Sequence, residues 1–226
     1  MQELPLAAAF FVGTHLGLPS SPFREALVEK LGERGYRLLF SALAIVALAW
    51  LVASFARAPE IVLWTAPGWL RGLVILVMPL ACLLFLCAVT SPYPMAAGRP
   101  PETDAADPVR GIQRVTRHPL LWSILLWAAG HMLAAGDLAA LLFFGALFLV
   151  AALGSVLADR RRLRRGGAGW GIYFQITSNL PFQAILQGRQ RWLPREIGAV
   201  RLAAALGLYL LLLLAHGRLF GPSLFG

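Results

Sequence analysis

The apolar positions of this chain fall in long unbroken runs, not in the period-two or mixed three-four spacing of a half-buried element. Six runs stand out, over residues 4–18, 38–56, 72–90, 118–136, 138–158 and 202–216, and none contains Asp, Glu, Lys or Arg. A helix rises 1.5 Å per residue, so crossing about 30 Å of hydrocarbon takes roughly 20 residues. The first and last runs are short and are expected to extend by a turn, to tilt or to thin the bilayer locally. The pattern predicts an all-α membrane protein, a bundle of about six transmembrane helices forming one domain over residues 1–226, with interfacial amphipathic helices between them. No internal repeat is evident.

Some connections carry structure of their own. Ser21-Pro22 reads as an N-cap followed by proline at the first helical position. The residues to Arg37 then mix Phe23, Leu27, Leu31 and Tyr36 with Glu25, Glu29 and Glu33. This predicts a short amphipathic helix on the membrane surface, with Glu33 and Arg37 in the favourable i,i+4 order. Residues 169–187 bring Trp170, Tyr173, Phe174, Pro181 and Phe182 beside a run of arginines, which suits the interface too. The Pro- and Asp-rich residues 91–108 read as a loop.

Composition supports lipid as the solvent. The 226 residues are 58% apolar and 14% charged, with a mean hydropathy of +0.70, against about a quarter charged in a soluble domain. The net charge of +9 raises nucleic acid as a partner, but the cations lie between apolar runs and form no nucleic-acid module. The connections after the first, third and fifth runs hold four, four and nine of the 20 Lys and Arg residues, and the others keep Arg57, Arg71 and Arg218. That alternation predicts a multi-pass protein of the bacterial inner membrane with both termini periplasmic. The cluster Arg160–Arg165 is expected to meet anionic lipid head groups. The N-terminus has no basic region, which fits a retained first span better than a cleaved signal. Cys82 and Cys87 leave one helix on different sides, so no disulfide, zinc or CxxC chemistry follows.

An ionisable side chain inside a bilayer is costly, which makes span histidines the leading functional candidates. His15 lies in the first run, His118 and His131 in the fourth, and His216 ends the sixth. Thirteen residues separate His118 from His131, about 20 Å along a helix and roughly 140° around it. They cannot share an ion, so any ligand pair comes from different helices. His15 and His131 are expected to differ in depth by about 5–10 Å. Small residues flank both: Gly13 and Gly17, and Ala128, Gly130 and Ala135. These admit a flat ligand or simply a close helix contact, and a span histidine can equally donate to a neighbouring carbonyl. Phosphate loops, GxSxG, HExxH and CxxC are missing from the sequence. Glu60, Asp137 and Asp159 fall at span ends and read as solvated or capping carboxylates.

Arg114-Val115-Thr116-Arg117-His118-Pro119-Leu120-Leu121-Trp122, continuing through Gly130-His131 to Gly136-Asp137, resembles the signature of the NnrU family. His15, Gly32-Glu33-Arg34-Gly35-Tyr36, Thr177-Ser178-Asn179-Leu180-Pro181-Phe182 and Ala215-His216-Gly217 extend the resemblance over nearly the whole chain. The family is associated with denitrification and nitric-oxide metabolism, and its plant relative is the zeta-carotene isomerase, in which two histidines hold haem b. The resemblance implies haem b here, with His15 and His131 as axial ligands of the haem iron, and Arg117 and His118 at the cytoplasmic edge as a polar anchor or beside a haem propionate. It implies nitric oxide or an isoprenoid such as a carotenoid as ligand or substrate, and cis-trans isomerisation if the chain is an enzyme. Ala128 stands where the isomerase has a cysteine implicated in switching ligation, so that switch is not implied. Arg117-His118-Pro119 and the aromatic segment also resemble isoprenylcysteine methyltransferase-like membrane enzymes, which use S-adenosylmethionine. The paired glutamates of that class are missing here. A non-catalytic membrane scaffold is the third alternative.

Overall fold

The computed structural model describes residues 2–20, 23–91, 93–97 and 109–220. Helix α1 (Glu3–Val12) passes through a π-helical turn (Gly13–Gly17) into the short α2 (Leu18–Ser20). There follow α3 (Phe23–Ala56), α4 (Gly68–Thr90), α5 (Pro94–Ala97), α6 (Pro119–Ala135), α7 (Leu138–Arg165), α8 (Ala168–Ile176), α9 (Gln183–Leu186) and α10 (Ala199–Phe220). Among the described residues there is no β-strand, and Val62 and Asp137 form an isolated bridge.

Each apolar run therefore lies in a helical segment, and most ends agree within about four residues, but α3 begins 15 residues before its run and α7 continues seven residues beyond its own. Four of these helices, α3, α4, α7 and α10, are long and apolar enough to cross a membrane. Helix α6 is apolar but has 17 residues, and the α1–α2 run is interrupted by its π turn. The Ser21-Pro22 cap and residues 98–108, with Arg99, lie outside the described residues. Gly32, at φ 69° and ψ 166°, breaks α3 and separates the amphipathic Phe23–Leu31 stretch from the apolar remainder. Glu33 pairs with Arg37 at 3.5 Å as the spacing predicts, and also with Arg24 at 2.9 Å.

The helices pack in the order α10, α4, α6, α7, α1, α3. Helices α1 and α7 run parallel, since Leu16 meets Gly154 and Arg161 Nη1 donates to the Pro19 carbonyl at 3.2 Å. Helices α6 and α7 are antiparallel, joined by Gly136 and Asp137. Asp137 caps α7 by accepting from the Ala140 amide at 2.9 Å, which is the capping role read from the sequence. Gly136 terminates α6 at φ 70°, a conformation that costs an L-residue about 1–2 kcal/mol. The carbonyl of Gly136 accepts from the amides of Leu63 and Trp64, and Ile61 O accepts from Leu138 N. The extended segment after α3 is thus stitched to the α6–α7 turn.

Pro79 lies inside α4. Proline has no N–H, so the carbonyl four residues earlier, Ile75 O, loses its helical donor. Tyr209 of α10 supplies a replacement, its hydroxyl donating to Ile75 O at 3.1 Å. Tyr209→Phe is expected to destabilise the α4–α10 contact by about 0.6 kcal/mol and by no more than about 1.7, read as a lowered midpoint on unfolding from mixed micelles. Farther along α4, Ser123 of α6 donates to Ala81 O at 2.8 Å. Gly130 lets α6 approach α4 closely, because a Cβ there would lie 2.7 Å from Met78 Cε.

One end of the bundle is closed by the segments flanking α8 and α9. Trp170 and Tyr173 are not lipid-facing, as the aromatic pattern implied, but pack inward on Tyr93, Met95 and Val109. Burial pushes the Tyr173 phenol well above its ordinary value. Arg114, 4% exposed, grips Glu196 with Nε at 2.8 Å and Nη2 at 3.0 Å, and Glu196 also accepts from Gly111 N at 2.7 Å. The Arg114 hydrogen bond holds the Glu196 carboxyl below the usual carboxylate value.

Candidate functional site

His15 sits inside the π turn of the first helix, a helical form that is rare and frequent at functional sites. Its Nδ1 lies 2.9 Å from Phe11 O, and its ring packs on Phe11 and Phe40. His131, in the last two turns of α6, repeats the arrangement with Nδ1 at 2.8 Å from Trp127 O. A carbonyl only accepts, so each Nδ1 carries the hydrogen, and in the neutral form of either ring the lone pair is then on Nε2. This is the tautomer that binds a metal through Nε2, oriented by the bond at the other nitrogen.

Phe11, against His15, and Phe144, against His131 at 5.0 Å, belong to one buried apolar cluster with Leu4, Leu51 and Ala128. Helix α7 meets Leu16 at Gly154 and His131 at Phe144, a separation of about 15 Å along its axis. The depth difference between the two histidine-bearing positions thus exceeds the 5–10 Å read from the sequence. Helical side chains lean toward their own N-terminus. Helices α1 and α6 are antiparallel, so the two imidazoles lean toward each other.

Two neighbours of this region were named from the sequence but not assigned to it there. His216 of α10 lies beside His131, with ring centroids 6.3 Å apart and planes 30° from parallel. Both residues end apolar runs on the same side of the topology, a signal that could have paired them. Tyr36 is 7% exposed, yet its hydroxyl meets no hydrogen-bond partner. It stacks on Phe40, the ring that packs edge-on to His15. An orphaned buried hydroxyl calls for an explanation, and Ser54 Oγ is a second such group among the described residues. By donor type alone, each of these imidazoles is suited to bind a haem iron.

Arg117 and His118 lie at the opposite end of α6 from His131. His118, 3% exposed, donates from Nε2 to Asp159 Oδ1 at 2.6 Å. Arg117 binds the same carboxylate through Nε at 3.0 Å and Nη2 at 2.6 Å, while Nη1 donates to Thr177 O at 3.1 Å. Its guanidinium lies 4.5 Å from the Phe174 centroid. Asn179 joins through Nδ2 to Ser155 Oγ at 3.0 Å and accepts from Trp122 Nε1 at 3.2 Å. The solvated or capping reading of Asp159 is therefore corrected. It lies within α7, buried, where two basic side chains converge on it.

The NnrU protein family model matches residues 3–224.

This chain belongs to the NnrU family. The RHP segment that carried the resemblance is the part of this NnrU chain that closes over Asp159. Among curated proteins, the chain is 29% identical over 199 residues to the maize (Zea mays) 15-cis-zeta-carotene isomerase, covering 84% of this chain and 52% of the maize protein. It is 29% identical over 185 residues to the Arabidopsis thaliana 15-cis-zeta-carotene isomerase, covering 80% of this chain and 49% of that protein. Both relatives are described as chloroplastic. The chain spans about half the length of these relatives. No solved structure matches it significantly.

Proposed function

We propose that this NnrU protein is a six-span, haem b-binding membrane protein acting on an apolar isoprenoid polyene by cis-trans isomerisation. The α1–π–α2 run and α6 would complete the six spans, since 17 or 18 residues is the lower end of the range that crosses a bilayer. The alternating loop charges favour a topology with both termini outside a bacterial inner membrane. The observation that carries the cofactor is the matched tautomer of His15 and His131, each with Nδ1 on the carbonyl of its own preceding turn. His15 and His131 would hold the iron. When bound, haem supplies a redox-active iron whose axial imidazoles tune its potential and access. The isomerase relatives favour a polyene as substrate; the family's association with nitric oxide makes that diatomic the competing ligand.

A second ligand pairing, His131 with His216, is favoured by their adjacent rings. One set of spectra separates these readings. The protein, expressed with ample haem and purified in detergent, should show a Soret band that shifts on dithionite reduction. His15→Ala and His131→Ala should each abolish or alter it, while His216→Ala should leave it in place. Loss in His216→Ala but not in His15→Ala would move the site to the second pairing. A haem-free protein that binds S-adenosylmethionine would overturn the reading in favour of methyl transfer. Nitric oxide that shifts the band, without turnover of any polyene, would favour the nitric-oxide reading.

A further inference from the structure

A cavity of about 510 Å³ opens beside the Asp159 cluster, lined by Arg117, Phe174, Ser178, Asn179, Gln183 and Arg189. Its charge is unbalanced. Arg189 Nη1 donates to Thr177 O at 2.9 Å, and Arg117 Nη1 donates to that same oxygen at 3.1 Å. Two guanidinium groups thus converge on one neutral acceptor. Arg117 has Asp159 as counter-ion. The acceptors of Arg189 are the carbonyls of Gln175 and Thr177 and the Gln187 side-chain oxygen. Among the described residues no carboxylate pairs with it. Like charges repel at this distance, so the walls hold a surplus cation, with the Gln183 side chain close by, while the Ser178 hydroxyl and the Asn179 amide are engaged by Leu180 O, Ala184 N and Ser155 Oγ.

The surroundings narrow the anion. Leu180, next in the chain to the lining residue Asn179, is 52% exposed, and Leu186, on the short helix α9 that begins at the lining residue Gln183, is 85% exposed. A cationic pocket whose own segments expose leucines is complementary to a phosphate with an acyl chain beside it. Planar guanidinium groups suit phosphate oxygens.

We propose that this cavity binds the phosphate of an anionic phospholipid head group, with Arg189 as its principal cation. The site is independent of any haem, and it differs from the arginine run on α7, where Arg161 donates to Pro19 O and Arg162 lies over Trp170. The test uses the full-length protein in neutral detergent, titrated with dihexanoyl phosphatidylglycerol, dihexanoyl phosphatidylcholine and inorganic phosphate, with thermal midpoint as the readout. Phosphatidylglycerol should raise the midpoint saturably and bind at least tenfold tighter than phosphatidylcholine. Arg189→Gln should weaken it tenfold or more. Arg164→Gln, the same charge change on α7, should not. Should Arg189→Gln fail to fold, Gln183→Glu places an anion in the pocket and should abolish binding. Inorganic phosphate binding as tightly as phosphatidylglycerol would keep the phosphate site but assign it to a soluble ligand, overturning the lipid. Equal affinities in wild type and Gln183→Glu, or equal losses in Arg189→Gln and Arg164→Gln, would overturn the site itself.

Discussion

Asp159→Ala is expected to destabilise the protein by about 3–5 kcal/mol, because it leaves a buried cation without its partner. Arg117 and Asp159 side chains are 11% and 12% exposed, so solvent screens the pair little. The carboxylate also accepts from His118 at 2.6 Å and lies 3.4 Å from Asn179 Nδ2. Removing it strands three donors at once, Arg117 Nε and Nη2 and His118 Nε2, and losing a buried polar partner costs more than the bond's net contribution. The cluster ties α6, α7 and the 177–179 turn together, so the loss should be global. It is measured as the fall in unfolding midpoint from mixed micelles and in the monodisperse fraction after extraction. The double variant Arg117→Met/Asp159→Leu removes both charges and should recover much of the loss. If Asp159→Ala unfolds within about 1 kcal/mol of wild type, as an exposed pair would, the buried-cluster account is wrong.

Gly136→Ala is the second large effect, expected at about 3–5 kcal/mol. Two penalties combine. An L-residue at φ 70° costs about 1–2 kcal/mol, and a Cβ there would sit 2.0 Å from Trp64 O, which is backbone and cannot rotate away. Relieving the collision separates the segment from the turn, breaking the bonds of Leu63 and Trp64 to Gly136 O, each contributing about 0.5–1.5 kcal/mol. Trp64 Nε1, which donates to Leu133 O at 3.1 Å, would move too. Gly136→Asn separates the causes, since asparagine tolerates positive φ but still carries a Cβ. Unfolding of Gly136→Asn should stay close to that of Gly136→Ala. Wild-type stability in Gly136→Asn would show that backbone strain alone matters and that Trp64 gives way.

Much of the architecture was legible because lipid as solvent makes its demands locally. Residues 72–90 and 138–158 read as helices because backbone groups in hydrocarbon must pair within their own segment, and α4 and α7 follow those runs closely. Asp137 could be recognised as a cap from its place before an apolar run, and the Glu33–Arg37 pair from its spacing alone. The histidine tautomers were not legible, because they depend on which carbonyl each Nδ1 meets. Nor was the burial of Trp170 and Tyr173, since an amphipathic aromatic suits an interface and a protein core equally well.

Asp159 marks the boundary between the two kinds of information. A carboxylate at the end of an apolar run looks like a solvated cap, because run length and composition carry no record of what folds back over it. Its burial follows from Arg117 and His118, 42 and 41 residues away, and from Asn179 on yet another segment. The same holds for Tyr209 reaching the carbonyl that Pro79 orphans, and for His216 arriving beside His131. Helical runs and alternating loop charge are properties of neighbours along the chain, so twenty consecutive residues are enough to specify them. Paired cations, relayed hydrogen bonds and facing imidazoles are properties of neighbours in space, and they come into being when α4, α6, α7 and α10 pack.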